Sequence, residues 1–421
     1  MAGIRLFNSV PTAGDDQQVR RHRPDYWLVI VALFLVVIGL TVVYAITPAL
    51  TATSGGSGSH YVSRQLLAIG LSIVAFLTTA RIPLRIWQKW QMPLLIVAAV
   101  GTLIALVTPV IAQYPAHRWI RFGGFSLQSV EALKFALLIW LASFLAARAR
   151  DGRLMDGKVT LRPLLYVLVA VGIVVAGIQS DLGSTGVIVA MMGATAFIAG
   201  LPLRKVLMIG AIVAIGTVLA VSAIPYRRER LLTFLHPESN CLSTGYQACQ
   251  ALIAVGSGGI SGLGLGRSVQ AYGYLPEAQN DSIFAIYAEK FGFLGVMVLL
   301  GLFGALFARL RIVIERTHDM FSRLVVSGIL AWFSTQMIIN VGAMIGLLPL
   351  KGITLPFVSY GGTSVLFVGA ALGLVFQISH YTSFSARNVQ KTGSGGQRTN
   401  NENSNDRRRV GRAYHPDLSG R

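Results

Sequence analysis

Residues 274–292, YLPEAQNDSIFAIYAEKFG, join a polar, acidic segment to a long apolar run without a break. Pro276, Glu277, Gln279, Asn280 and Asp281 make up the polar part. Glu289 and Lys290 follow about two turns further in, at ~1.5 Å of rise per residue. A carboxylate in such a place can accept a proton from a substrate. If the apolar run spans a bilayer, ionisable groups inside it face a polar cavity, because charge in hydrocarbon is costly. Asp is equally a favoured helix N-cap. From this stretch alone, cap and general base stand level for Asp281.

The elements that must position this acid follow from composition. Of 421 residues, 53% are apolar and 13% charged, against about 25% charged in a soluble domain. The chain therefore reads as a polytopic, all-α membrane protein. Its apolar segments have the ~20-residue length of spanning helices rather than the ~10 of barrel strands. Ten spans are predicted, over residues 26–47, 65–80, 92–112, 130–147, 163–178, 183–200, 206–224, 282–308, 321–346 and 363–382. A basic tail over 1–25 precedes the membrane domain of 26–382, and a Ser/Asn/Gly/Arg-rich tail over 383–421 is expected to be disordered. The longest hydrophilic connection, 225–281, lies between spans seven and eight. The first apolar run exceeds a signal-peptide core, and no small-residue cleavage site follows it.

Lys/Arg placement sets the orientation. With the N-terminus inside, inner segments carry 26 of the 36 Lys/Arg and outer loops 8. Both termini are thus expected in the cytoplasm. The net charge of +19 reports topology and argues against nucleic-acid binding. The cluster Arg407-Arg408-Arg409 reads as a solvated tail, with anionic lipid or a cytoplasmic partner as the other reading.

This topology gathers Arg118, Glu131, Lys134, Asp181, Arg227, Arg228, Arg230, Asp281, Glu289 and Lys351 on the outer face. Arginine forks and lysine bind phosphates, so both signs at helix mouths suit an anionic, partly lipidic substrate. The plain alternative is internal ion pairing, which is strong for Glu131 and Lys134 at i, i+3. The glycine run 256–266, GSGGISGLGLG, has no strand before it, so a dinucleotide-binding reading fails. It is expected to be a flexible outer loop whose backbone can approach a ligand. Cys241 and Cys249 either pair or remain free, and with His236 they fall short of a zinc site. GAALG at 369–373 is a small-residue packing face, expected within the bundle rather than between copies.

Five blocks then resemble, in order, the signatures of the SEDS family (shape, elongation, division and sporulation). They are HRWIRFGGFSLQSVEALK, QSDLGST, GYQACQALIAVGSGGISGLGLGRS, YLPEAQNDSIFA and GLLPLKGITLPFVSYGGTS. The resemblance covers about 26–382. It implies a ten-span glycosyltransferase that polymerises peptidoglycan from lipid II, more like the cell-division branch (FtsW) than the elongation branch (RodA). It further implies Asp281 as catalytic base. Arg118, Trp119, Glu131, Lys134, Asp181, Arg227, Gln247, Glu277, Lys351, Ser359 and Ser364 are expected as substrate-binding residues. Both family prolines are replaced, since the first block reads Gln128-Ser129-Val130-Glu131 and the second Gln179-Ser180-Asp181, which leaves the start angles of spans four and six open.

In that reading Asp281 deprotonates an acceptor sugar hydroxyl as it attacks the donor's anomeric carbon. Lys351, Arg118 and Arg227/Arg228/Arg230 then offset charge on the departing lipid pyrophosphate. Direct displacement predicts inversion. A divalent cation, magnesium or manganese, is compatible, although no ligand set is evident. The implied partners are lipid II, the nascent glycan strand, a class B penicillin-binding transpeptidase and other division proteins, at the septal inner membrane. A lipid II flippase, an elongation polymerase and a non-catalytic scaffold are the alternatives.

Overall fold

In the computed structural model, the described residues are 23–54, 59–108, 118–122, 125–222, 234, 241–243 and 245–381. Arg23–His380 forms one compact unit, and most of the two expected tails lies outside the described residues. The chain is a polytopic helical membrane protein. Its helices are α1 Tyr26–Ser54, α2 Ser59–Arg81, α3 Leu84–Lys89, α4 Gln91–Val107, α5 Ser129–Arg150 and α6 Arg162–Val171. They continue as α7 Leu182–Ala199, α8 Leu203–Ser222, α9 Tyr246–Ser257, α10 Ile283–Arg316, α11 Met320–Met344 and α12 Gly362–Ser379. π-helical turns over Gly157–Leu161 and Gly172–Ile178 extend α6 at both ends, so that span is one irregular helix.

Eight stretches among the described residues are long and apolar enough to cross a membrane. With α4 and α8 they supply a helix at each of the ten expected spans. Boundaries moved where local chemistry outweighs hydropathy. α10 runs to Arg316, past the expected 308. α7 stops at Gly200, whose φ of +113° supplies the left-handed residue that closes a helix. α5 and α12 are enclosed by other helices, while α2, α6 and much of α10 expose apolar faces, as lipid-facing helices must.

The small residues of GAALG pack within the bundle. A β-carbon on Gly369 or Gly373 would collide with Ser72 or with Phe76 and Thr79 of α2. Ser72 and Thr79 donate to the Val365 and Ala370 carbonyls, each at 2.9 Å. Close backbone approach and interhelical hydroxyl bonds are how apolar helices associate without a hydrophobic drive.

α10 is broken near its start. Gly292 has φ +63° and ψ −167°, which interrupts the helical ladder. The glycine run fills the break, since Leu263 and Gly264 donate to the Glu289 and Lys290 carbonyls at 2.9 Å. Phe293 and Leu294 donate back to Gly259 and Ile260, at 2.9 and 3.1 Å. Irregular backbone at membrane depth survives only where such groups are satisfied inside the protein. Any β-carbon on Gly258, Gly262 or Gly292 would strike the opposing main chain. The expectation of a flexible loop approaching a ligand is therefore corrected: this backbone approaches α10.

Candidate active site

Arg118 stands directly before a short hairpin, β1 Trp119–Phe122 and β2 Phe125–Gln128, antiparallel with Trp119 opposite Gln128. The hairpin was not anticipated from hydropathy, since four-residue strands leave no span-length signal. It runs straight into α5, which carries Glu131 and Lys134. Arg118 Nε donates to the Gln179 carbonyl at 3.0 Å and Nη2 to the Ser180 carbonyl at 2.6 Å. The guanidinium is thus oriented by the turn before α7. Ser180 holds φ +54° there, a value proline's ring forbids. Proline could not take this place without a different turn.

The two acids divide the roles left open for one. Asp181 is the N-cap of α7 and is buried, with Oδ1 accepting from Ser184 N–H at 3.0 Å and Oδ2 from Ser184 Oγ at 2.9 Å. Asp281 is not the N-cap of α10: that residue is Ser282, which makes no side-chain cap bond, and the hydrogen bonds that Ser282 offers the Asp281 carboxyl are outweighed by burial. Asp281 is half-buried, but its Oδ1 is sealed from solvent without a hydrogen-bond partner. Burial first, and the neighbouring Glu277 carboxylate second, push the Asp281 carboxyl from the ordinary 3.8 up to about 7.

The turn that presents Asp281 is tied on several sides. Glu277, at φ +52°, accepts from the Asn280 amide and, through its carbonyl, from Asn280 and Ser282 N–H at 2.9 and 3.2 Å. Ser282 Oγ donates to the Pro276 carbonyl at 2.9 Å and accepts from Gln247 of α9 at 3.1 Å. Cys241 and Cys249 are disulfide-bonded, which decides between the two readings and closes the loop at the head of α9. Tyr360 N–H donates to the Gln279 carbonyl at 2.9 Å.

Loop 345–361 covers the acid. A β-carbon placed on Gly352 would lie 3.6 Å from Asp281 Oδ2 and 3.8 Å from Arg118 Nη1. Carboxylate and guanidinium therefore both lie within 4 Å of one point, which glycine leaves free of a side chain. Lys351 is half-buried, and its Cβ packs 3.1 Å from a β-carbon placed on Gly183, beside Asp181.

Glu131 and Lys134 pair at 2.7 Å, both buried. Lys134 also donates to Gln336 Oε1 at 3.2 Å and lies 4.9 Å from the Trp332 ring centre. Gln336 donates to the Thr354 carbonyl at 2.8 Å, and Thr354 Oγ1 meets Ser364 Oγ at 2.9 Å. This chain of contacts links α5, α11 and α12 beneath the loop. Ser359 Oγ accepts from Leu355 N–H at 2.7 Å, folding the loop on itself.

Among the residues expected at a site, Arg118 and Asp281 meet at Gly352, with Glu277 beside Asp281, Gln247 bonded to Ser282 and Lys351 next in the chain to Gly352. Trp119 is half-buried, and its carbonyl accepts from Thr108 at 3.0 Å. Glu131, Lys134, Asp181, Ser359 and Ser364 stand in buried bonds to protein. Glu289 turns away, accepting from Ser268, from Val269 N–H at 2.8 Å and from Gln270 N–H at 3.2 Å. Lys290 donates to the Leu265 carbonyl at 2.7 Å. Lys290 pins the glycine run and Glu289 the segment that follows it. Arg227, with Arg228, Arg230 and His236, lies outside the described residues. Gln336 and Asn340 were missed from sequence. Polar residues four apart in an apolar span were the signal available.

Among the described residues no three His, Cys, Asp or Glu side chains converge as metal ligands. Glu277 is engaged by Asn280, which leaves Asp281 as the one further carboxylate at the turn. A carboxylate with water and substrate phosphates is a set that magnesium takes, so Asp281 is the group here that would hold a cation arriving with the pyrophosphate.

Residues 26–384 match the family model described as "Cell cycle protein", FtsW/RodA/SpoVE. The chain is 36% identical over 363 residues to a protein of Coxiella burnetii named "Probable peptidoglycan glycosyltransferase FtsW", covering 85% of this chain and 96% of that one. It is 33% identical over 367 residues to stage V sporulation protein E of Bacillus subtilis, covering 87% and 99%. Among solved structures it resembles a chain of a peptidoglycan synthase complex described as coordinating polymerization and crosslinking. That match has TM-score 0.66 and 26% identity, over 85% of this chain and 97% of that one. It also resembles the rod shape determining protein RodA of Thermus thermophilus, with TM-score 0.60 and 25% identity over 86% and 98%.

Proposed function

The chain belongs to the cell cycle protein family of FtsW, RodA and SpoVE, and from that premise we propose that it polymerises lipid II with Asp281 as general base. It is a peptidoglycan glycosyltransferase, the activity for which its FtsW relatives are named. The observation that carries the mechanism is the pairing of Asp281 Oδ2 and Arg118 Nη1 across Gly352, each within 4 Å of the same point.

The acceptor sugar's hydroxyl lies against Asp281, which takes its proton as the oxygen attacks the donor's anomeric carbon. A carboxyl raised to about 7 by burial is matched to that task near neutral pH. The bond from that carbon to the lipid pyrophosphate breaks with inversion, and negative charge grows on the leaving oxygen. Arg118, held by two backbone carbonyls, meets this charge without reorganising. Lys351, on the loop beside it, supplies a second cation, as Arg227 does from the long connection. Trp119, Gln247 and Glu277 shape the rim. Glu131, Lys134, Asp181, Ser359 and Ser364 serve the substrate by holding the loop and helix starts in register. No step is routed through a metal.

The site lies at the outer face of the cytoplasmic membrane, with both termini inside, and the chain acts in septal wall synthesis. A class B penicillin-binding transpeptidase crosslinks the product, together with other division proteins. Support for this comes from the Lys/Arg asymmetry and the synthase-complex neighbour. The test is Asp281→Asn in purified protein given labelled lipid II in detergent, where there is no second compartment to flip into. Polymer is expected from wild type and none from the variant. Polymer from both removes Asp281 from the mechanism, and polymer from neither favours a transporter or scaffold.

A further inference from the structure

α11 crosses behind the site and turns two amides toward it. Gln336 reaches the Thr354 carbonyl and hydroxyl, at 2.8 and 3.1 Å. One turn later Asn340, 1% exposed, donates to the Asp281 carbonyl and to the Ile353 carbonyl, both at 2.7 Å. Its orientation is dictated by these partners, since a flipped amide would set Oδ1 against two carbonyl oxygens. Oδ1 itself is buried without a hydrogen-bond partner. The side chain is therefore spent on a single task, bridging two segments that are distant in sequence. One presents the Asp281 carboxylate; the other carries Lys351 and Gly352.

We propose that Asn340 is a positioning residue that ties the Asp281 turn to the Lys351–Ile353 turn and so sets the gap in which the acceptor is deprotonated. The inference rests on the reading of Asp281 as base. The covering loop keeps water from the carboxylate, and Asn340 holds the loop down. The charged and titratable groups facing Asp281 are Glu277 on its own turn and Arg118 from the hairpin, while Lys351 on the loop sets its Cβ against Gly183. Freeing the loop wets the acid, while Arg118 stays with the Gln179 and Ser180 carbonyls. Wetting lowers the acid's pKa. Desolvation is the larger cause of the present shift, so the net movement is downward. The acid limb of the rate profile then shifts to lower pH while the rate at its plateau falls.

The experiment compares full-length wild type, Asn340→Ala, Asn340→Ser, Asp281→Asn and Gln377→Ala. Gln377 makes a similar buried amide-to-carbonyl bond, to Ile82 at 2.6 Å, near the far end of α12. It controls for loss of one such tie without contact to the site. With labelled lipid II, Asn340→Ala is expected to lower kcat about tenfold or more while KM changes less than about threefold. Its acid limb is expected to move down by about half a pH unit or more. Hydrogen exchange in peptides spanning 277–283 and 351–356 is expected to accelerate in both Asn340 variants and to stay at the wild-type rate in Gln377→Ala. Should Asn340→Ala not purify as folded protein, Asn340→Ser, which keeps one donor, carries the same comparison. Unchanged exchange in these peptides overturns the tie, whatever the rates are. An acid limb that moves equally in Gln377→Ala, or in neither variant, overturns the positioning role. Full activity of Asp281→Asn would instead refute the base assignment alone, because the exchange result judges the tie separately.

Discussion

Gly352→Ala isolates the space between acid and cation from the stability of the fold. Gly352 does not occupy the left-handed region, and a β-carbon there meets Asp281 Oδ2 at 3.6 Å and Arg118 Nη1 at 3.8 Å, ordinary contact distances. Alanine is thus accommodated without strain, and its smaller unfolded-state entropy stabilises by about 0.4–1 kcal/mol. The added methyl, however, takes the position that an acceptor hydroxyl or phosphate oxygen must approach. A displacement of ~1 Å at a reacting centre costs on the order of 100-fold. A fall in kcat/KM of about 10- to 100-fold, or ~1.4–2.7 kcal/mol of transition-state stabilisation, is therefore expected. The assay is polymerisation of labelled lipid II alongside thermal unfolding of the same preparations. Gly258→Ala is the counter-case: its β-carbon would strike the Ala288 carbonyl, so folded protein is expected to be lost before any rate can be measured. A Gly352→Ala enzyme with wild-type stability and wild-type kcat/KM would show that substrate does not pass between Asp281 and Arg118, and the mechanism would fall with that.

Wild-type polymerisation is expected to rise with pH through an apparent pKa near 7, because the base must be ionised and its carboxyl is raised to about 7; a flat rate from pH 5 to 8 opposes this. The same shift has a sign for stability. The folded pKa lies above the unfolded 3.8, so this group's contribution is complete below that value and is lost as pH rises to about 7. Asp281→Asn, which cannot ionise, is expected to exceed wild type in stability at pH 8 by on the order of a few kcal/mol, with the difference closing by pH 4 in thermal melts. Lys134→Met leaves Glu131 buried without its ion-pair partner and is expected to cost about 3–5 kcal/mol, with Glu131→Gln added to it restoring much of the loss. Cys241→Ser opens a loop of sequence separation 8 and is expected to cost about 2–3 kcal/mol locally, read as faster proteolysis around α9.

Hydropathy was enough to find each spanning helix because lipid imposes one length on every span. It could not find what breaks or covers them. Glu289 and Lys290 look like site residues by depth alone, yet their partners are Ser268 to Gln270 and Leu265, brought near by the bend at Gly292. A pattern of glycines states that backbones meet closely but not which backbones. Asp181 and Asp281 illustrate the same limit. Both precede apolar helices, and the geometry of a nearby serine separates them: Ser184 folds back onto both oxygens of Asp181, while Ser282 is itself the N-cap and is tied to Pro276 and Gln247. The motif blocks resembled a family closely enough to nominate the acid. The covering role of Gly352 and the bridge from Asn340 required distances, because both depend on three segments far apart in the chain.

The break at Gly292 gives the Asp281 end of α10 a mechanical life of its own. An uninterrupted spanning helix transmits a push along its axis as a rod does. Here the ladder changes partners, since Phe293 and Leu294 hand their amides to Gly259 and Ile260. The lower part, where Arg309 pairs with Asp25, is thus joined to the upper part through the glycine run as well as through its own chain. The nine residues Ile283–Phe291 can then hold Asp281 steady while the remainder of the helix responds to its lipid or protein surroundings.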